Sequence, residues 1–415
     1  MHYDLIIIGG GAAGLFAAAN VRPGLRVLLL EKTHTPGQKL RLAGSGQCNL
    51  TNAEPMTAFS GRYGANGKRL RPVLNAFGNR ALMVYFDELG LPLVTREDGK
   101  VFPASMDSRD VAERLLARGR QNGVDVRSNA PVTEILAEKD HFILRTPAHT
   151  HTAKHVLVTT GGASYPKTGS DGLFFACLEA FGIDLVPRRP ALTPIHVQDY
   201  PYGDLSGISF PEAGITLTMK ADHRRITGRG SLLLTHRGFS GPVILNHARY
   251  VAQGDTMTVH YLPGRDPGTL RRMLLELTAG NAKQIGTVLE AATDLPGRFL
   301  DCICLRAGIA PDTKASRLSG KELGEIARIL TADTYEISGT GGFSAAMATA
   351  GGVSLDEVDL RTMESRRYPG LYFAGEVLDV DGDTGGYNLQ FAFSSARLAL
   401  TSGSLVSRGL SGGGS

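Results

Sequence analysis

The chain has 415 residues, 42% hydrophobic and 20% charged, with a formal net charge of +4. That length holds two or three domains with real cores. So mild a charge neither demands nucleic acid nor excludes an anionic partner. No apolar run approaches the roughly twenty residues that cross a bilayer, so no membrane partner is expected. Asp4 and the glycines after Ile8 also argue against a signal peptide. Four cysteines, Cys48, Cys177, Cys302 and Cys304, form neither a C-x-x-C pair nor a disulfide framework, which points to a reducing cytoplasm.

The opening stretch, Tyr3 to Lys32, reads YDLIIIGGGAAGLFAAANVRPGLRVLLLEK. A short β-branched run predicts a strand buried on both faces. It enters a G-x-G-x-x-G turn at Gly9, Gly11 and Gly14, followed by small residues that let a helix start close to the sheet. A second strand, Arg26 to Leu30, ends on Glu31. Each part has a job in holding a dinucleotide. Gly9 permits the turn, Gly11 admits a pyrophosphate and Gly14 allows helix–strand packing. The helix N-terminus offers free N–H groups to the phosphates, and Glu31 accepts from ribose hydroxyls.

Pro36 to Asn52, PGQKLRLAGSGQCNLTN, is a glycine- and amide-rich loop carrying Lys39 and Arg41 that can fold back along a phosphate. Residues 68–90 carry a helical stripe. Thr95 to Phe102 predicts a hairpin around Asp98-Gly99, and Ser108 to Asn122 a helix capped by Ser108 or Asp110. Strands are expected at Asp125–Arg127, Val132–Ala137 and His141–Arg145. Another, His155 to Thr160, runs into Gly161-Gly162.

Near Pro190 the texture changes. Alternating segments at Gly214–Met219, Ser231–Thr235 and Thr256–Tyr261 predict an antiparallel, barrel-like β domain. Helices are expected at Thr269–Thr278, Ala282–Ala292 and Ser319–Leu330, the last with a Ser319-x-x-Glu322 capping box. Tyr335–Ile337 is again a strand. Gly370 to Ala374 is a strand reaching Gly375-Glu376, followed by Gly385-Gly386 and a helix from about Asn388. There is no internal repeat, and the tail at 406–415 is expected to be disordered. A C-terminal return of this kind separates a flavin site from a nicotinamide one. FAD needs a second wall, and a helix N-terminus at its N1–C2=O edge stabilises the charge of the reduced ring. Asn388, Leu389 and Gln390 offer those N–H groups.

GGGAAG, CNLTN (Cys48 to Asn52), TTGGASYPKTGSDG (Thr159 to Gly172), THRGFSGP (Thr235 to Pro242) and the long run TAGGVSLDEVDL through GYNLQFAFSSA, ending at Ala396, resemble the BaiN/YhiN-type flavoproteins over almost the whole chain. The resemblance implies an α/β fold whose Rossmann-like FAD-binding domain is formed by 1–190 and 341–405. An inserted β-barrel-like substrate domain takes 191–265 and 331–340, and a small helical subdomain 266–330. It implies cofactor contacts at Gly9, Gly11, Gly14, Glu31, Lys32, Lys39, Cys48, Asn49, Thr51, Val132, Gly162, Gly375, Glu376, Asp379, Gly386, Asn388, Leu389 and Gln390. Family activities span reduction of conjugated C=C bonds, in bile-acid enones and in uracil of ribosomal RNA, and oxidation of small amines such as aminoacetone. The sequence departs from the family twice. Gln47 stands where an arginine is usual, which removes a cation, and Ala396 stands where glycine is usual.

The leading expectation is an FAD-dependent oxidoreductase that reduces a carbonyl-conjugated C=C bond of a small molecule, with NAD(P)H as transient reductant. An amine oxidase, an rRNA uridine reductase and a flavin sensor without turnover remain alternatives. Candidate acids are Tyr165, Cys48 and Tyr387. Cys48 is either an activated thiol or a buried packing residue, and Tyr165 either an acid or a residue closing its loop. Lys167 either binds substrate or faces water; His236 and Arg237 either line the substrate pocket or stabilise a domain contact. Tyr335 to Ser344 has no following strand ending on an acid, so no separate nicotinamide domain is expected. Cys302-x-Cys304 lacks partners for a metal, and the clusters at Lys68, Arg224 and Arg271 read as solvated faces. The residues leave the oligomeric state open.

Overall fold

The chain's fold was obtained as a computed structural model that describes residues 2–401; the tail expectation at 406–415 lies outside the described residues. It divides into two compact units, Met1–Ala191 with Phe343–Ser415, and Leu192–Gly342.

The first unit is built on a nine-stranded sheet. Its centre is five parallel strands in the order Leu371–Phe373, Thr150–Val158, His2–Ile8, Val27–Leu30 and Asp125–Arg127. Leu5, Ile6, Ile7, Leu28 and Leu29 are wholly buried, which is why these strands read as continuous apolar runs rather than alternating ones. The hairpin of Glu134–Ala137 and Phe142–Arg145 pairs antiparallel with the outer half of Thr150–Val158. Helix Ala12–Asn20 packs against helices Ser108–Gln121 and Tyr387–Thr401. The first contact is close because Gly119 faces Ala18: a Cβ on Gly119 would lie 3.0 Å from that of Ala18. Phe16 packs between Tyr85 and Phe393, its ring centroid 4.9 Å from each.

Several elements differ from their sequence expectation for identifiable reasons. The stripe at 68–90 is two helices, Arg71–Ala76 and Asn79–Glu88. The break falls at Phe77, whose carbonyl accepts from Gln390 Nε2 (2.9 Å) and Ser394 Oγ (2.7 Å). Tertiary hydrogen bonds there replace helical ones. Helix Ser108–Gln121 is capped by Asp107, which accepts from Arg109 N–H, while the Ser108 hydroxyl donates to Arg41 O. Strand Thr150–Val158 starts five residues ahead of the apolar run, because its first half is held by the hairpin.

The second unit is a closed antiparallel barrel of Ile195–Val197, Gly238–Ser240, Arg225–Leu234, Ser209–Thr218, Thr256–His260 and Asp333–Thr340. Its last two strands pair with Val259 opposite Asp333, so the helical segment between them leaves and re-enters at adjacent positions. That segment holds Pro267–Thr278, Ile285–Thr293, Gly297–Arg306 and Gly320–Ala332. The capping box at Ser319 and Glu322 is present; the helix Gly297–Arg306 carried no cap signal in the sequence.

Asp333, 1% exposed, ties helix Gly297–Arg306 to the barrel. Its carboxylate accepts from Arg306 (2.7 and 2.9 Å), from Tyr202 (2.7 Å), from Tyr261 (3.3 Å) and from Tyr335. Burial pushes the Tyr202, Tyr261 and Tyr335 phenols up, so all three stay donors. Removing one partner of such a buried pair costs about 3–5 kcal/mol. Asp333→Ala is therefore expected to lower unfolding free energy by about that amount in urea titration; a loss below about 1 kcal/mol would show that the hub is dispensable.

Candidate functional site

The carboxyl ends of the central strands carry three glycine turns. Gly9 has φ +101°, and a Cβ there would meet Thr159 O at 2.7 Å. Gly14 is tighter still, its Cβ position 1.9 Å from Gly9 O. Gly11 is different: nothing lies within 4 Å of where its Cβ would be. It stands at the N-cap of helix Ala12–Asn20, whose first N–H groups receive no side-chain cap. The three glycines thus have three distinct causes, two steric and one that leaves room for a ligand.

Glu31 ends the second strand and is nearly buried. Its Oε2 accepts from Gly10 N–H (2.7 Å), and Oε1 from Thr33 N–H (2.7 Å) and Thr33 Oγ1 (2.8 Å). These bonds orient the carboxylate at the edge where a ribose would lie. Lys32 pairs with Asp171 at 2.5 Å. Val132 is buried in the segment after Ala130, whose N–H donates to Glu31 O at 2.9 Å.

The C-terminal return joins this edge. Gly375 has φ +75°, and its Cβ position is 2.9 Å from Ala13 Cβ, so the return lies against the first helical turn. Glu376 accepts from Lys39 Nζ (2.6 Å) and Thr349 N–H (2.8 Å). Gly162 is required here, since its Cβ would lie 2.3 Å from Thr349 Oγ1. Thr349, wholly buried, also accepts from Ala163 N–H at 2.8 Å and was not anticipated from sequence. A threonine in a strand has no local signal for such a role. Asp379 accepts from Gly351 N–H (2.9 Å) and from Asn66 Nδ2 (3.3 Å).

Helix Tyr387–Thr401 starts after two left-handed glycines, Gly385 and Gly386. A Cβ on Gly386 would lie 2.5 Å from Thr51 O. With its amide oriented to satisfy both ends, Asn49 accepts from Gly386 N–H at 3.0 Å. Thr51 Oγ1 donates to Gln390 Oε1 (2.6 Å), and Asn388 brackets the Gly382 backbone at 2.8 and 2.9 Å. The side chains of Asn388 and Gln390 therefore hold protein. Gln390 N–H closes the first helical bond onto Gly386 O, leaving the amides of Asn388 and Leu389 outside the ladder.

The three proton-donor candidates sit differently. Cys48 is fully buried, and that burial pushes its thiol well up. Tyr387 is 3% exposed and donates to Glu54 Oε1 at 2.8 Å; burial and then this bond raise its phenol. Burial works against the Glu54 carboxylate, yet hydrogen bonds from Arg62 and Tyr387 hold it below the usual range. Tyr165 is half-buried with φ +54°, ψ +62°, an uncommon backbone state for a bulky residue. Lys167 is exposed in the same turn. His236 and Arg237 are exposed at the tip between Arg225–Leu234 and Gly238–Ser240 of the second unit. At Gln47, Arg96 supplies a cation: its Nη2 donates to Gln47 Oε1 at 2.9 Å, and its guanidinium lies 4.1 Å from the Phe102 ring centroid. Of the basic clusters, Arg69 pairs with Asp356 and Arg229 with Glu212.

FAD fits this donor set. An uncapped helix N-terminus with open space at the Gly11 Cβ position suits the pyrophosphate, an oriented acid suits a ribose, and a second helix start offers amides to the ring.

The chain is similar to known proteins over almost its whole length. The sequence profile of the HI0933-like protein Rossmann domain matches residues 3–402. A ribosomal RNA dihydrouridine synthase of Escherichia coli (strain K12) is 30% identical over 401 residues, covering 95% of this chain and 96% of that protein. One of the same name from Haemophilus influenzae is 30% identical over 403 residues, 95% and 97% of the two chains. A 3-dehydro-bile acid delta(4,6)-reductase of Clostridium scindens is also 30% identical over 403 residues, again 95% and 97%.

The contrast between Gly11 and Gly14 is testable. Gly11→Ala is expected to leave the melting temperature of the apoprotein unchanged while weakening FAD binding at least tenfold. Gly14→Ala should destabilise the apoprotein itself by about 1–3 kcal/mol through overpacking. Calorimetry and FAD titration distinguish them, and equal behaviour of the two variants would contradict the assignment.

Proposed function

Because the chain belongs to the HI0933-like Rossmann-domain family and is an FAD-dependent oxidoreductase, we propose that it reduces a C=C bond conjugated to a carbonyl group in a small-molecule substrate. The observation that carries this reading is a shared reaction among relatives with unlike substrates. A dihydrouridine synthase and a delta(4,6)-reductase of an oxidised bile acid both add two hydrogens to such a bond. Similarity to both over nearly the full chain favours this common chemistry over either substrate.

A bound flavin, once reduced by NAD(P)H, would supply the hydride for the β-carbon and return to its oxidised form. Residues that would hold the cofactor are Gly9, Gly11, Gly14 and Glu31 at its adenosine and phosphate portion, and Lys39, Asn49, Gly162, Gly375, Glu376 and Gly386 along the return. The Asn388 and Leu389 amides, at the positive end of the last helix, would favour the reduced ring's negative charge. Tyr165 is the acid of choice for the α-carbon. Tyr165 is half-buried, whereas Cys48 is sealed from solvent and Tyr387 donates to Glu54. Proton donation by a positioned side chain contributes typically 10²–10⁴-fold.

A second reading, reduction of uracil in RNA, is favoured by the names of two relatives and keeps the same chemistry. Anaerobic reoxidation of the reduced holoenzyme tests both. A 3-oxo-Δ4 steroid enone is expected to restore the oxidised flavin spectrum, and Tyr165→Phe to slow that step by roughly 10²-fold or more while reduction by NAD(P)H keeps its rate. Reoxidation by uridine-containing ribosomal RNA alone would select the second reading. Bleaching of the oxidised flavin by a small amine without NAD(P)H would overturn both in favour of an oxidase.

A further inference from the structure

The turn Tyr165–Asp171 is prebuilt. Left-handed Tyr165 and Gly169 (φ +95°) bracket a short 3₁₀ segment, Pro166–Thr168. Thr168 Oγ1 donates to Tyr165 O at 2.7 Å, and Gly169 N–H to Pro166 O at 3.0 Å. The turn packs directly onto the segment that follows the ribose-side acid. A Cβ on Gly169 would lie 2.6 Å from Thr33 Cγ2, 3.3 Å from Lys32 Cε and 4.0 Å from Glu31 Oε1. Lys32 Nζ closes the contact on Asp171 Oδ1 at 2.5 Å, and that oxygen also accepts from Leu173 N–H at 3.1 Å.

Between these anchors stands Ser170, 7% exposed, whose Oγ is buried without a hydrogen-bond partner. That oxygen lies 3.4 Å from the Cβ position of Gly161, at the carboxyl end of Thr150–Val158. A buried hydroxyl left unpaired is costly, and alanine would fill the same place without that cost. The hydroxyl therefore has use for a partner from outside the chain. The residue before Ser170, Gly169, has its Cβ position 4.0 Å from Glu31 Oε1, at the ribose side of the dinucleotide site.

We propose that Ser170 Oγ is a hydrogen-bond partner of the adenosine half of FAD, and that the Lys32–Asp171 pair holds the Gly169–Asp171 end of the turn in place beside it. This rests on the FAD assignment. Lys32 then acts as a positioning residue through Asp171 and not as a direct ligand.

FAD release from the diluted holoprotein, followed as the gain of free-flavin fluorescence, tests the proposal together with melting of apo- and holoprotein. Ser170→Ala is expected to weaken FAD binding roughly threefold to tenfold, the worth of one neutral hydrogen bond. It should leave the apoprotein at least as stable as wild type, so only the stabilisation by FAD shrinks. Lys32→Met and Asp171→Asn should each accelerate release, with the effect fading at high salt. The exchanged pair, Lys32→Asp with Asp171→Lys, should restore slow release. Release from Ser170→Ala at the wild-type rate, or a loss of stability equal in apo- and holoprotein, would mean that the hydroxyl serves only water or packing. An ion pair without this function would be marked by unchanged release from both charge variants. Wild-type protein that fails to retain FAD at all would instead remove the cofactor assignment, an outcome separate from these.

Discussion

The first unit depends on one constraint: three segments far apart in sequence must lie side by side as parallel strands. Ile8 is in register with Val158, and Val158 with Phe373. Parallel neighbours present their carboxyl ends on the same edge, so this register brings Gly9, Gly161 and Gly375 together. Loss of one register step would move each turn away from the others and flip the side chains of the strand. The site is thus a consequence of sheet pairing, and the buried Ile, Leu and Val residues that fix the pairing are as necessary to it as the residues at the edge.

At that edge, backbone must approach backbone. Gly9 against Thr159, Gly14 against Gly9 and Gly386 against Thr51 leave no volume for a Cβ. Close approach leaves polar groups to satisfy, and ion pairs and hydroxyls meet that need. Lys39 and Thr349 converge on Glu376, so the loop after the second strand and two parts of the return share one carboxylate. Thr51 and Gln390 do the same at the start of the last helix. A partly buried network of this kind favours a single arrangement of the segments.

What could be read from the sequence follows from how local each signal is. The glycine turn, the hairpin at Asp98-Gly99 and the Ser319–Glu322 cap are contained within a few residues, and each is present. Alternating apolar positions likewise announced the barrel. The break at Phe77 was not legible, because its cause is the Gln390 and Ser394 side chains more than three hundred residues away. Thr349, the Asp333 hub and Arg96 beside Gln47 share that property. Each is an ordinary residue in its own neighbourhood and acquires its role only from a partner brought by the fold. Asp107 was missed by a single position, since Ser108 and Asp110 carry the same local chemistry and only the Ser108 contact with Arg41 O decides among them.

A division of labour emerges from the residues at the site. Glu31, Glu376, Asp379, Asn388 and Gln390 all hold backbone or side-chain groups of the protein. What remains open is mostly main chain: the helix start at Gly11 and the Asn388 and Leu389 amides; the Ser170 hydroxyl is also without a partner. The charged and amide residues of the motifs therefore serve first to lock the peptide groups in orientation, and the peptide groups present the hydrogen-bond donors. Such donors lose no side-chain entropy when they bind, and their dipoles are aligned before any ligand arrives. Glycine dominates the motifs for two reasons: at Gly9, Gly14, Gly162 and Gly386 a Cβ would meet protein, and at Gly11 its absence leaves room for a ligand.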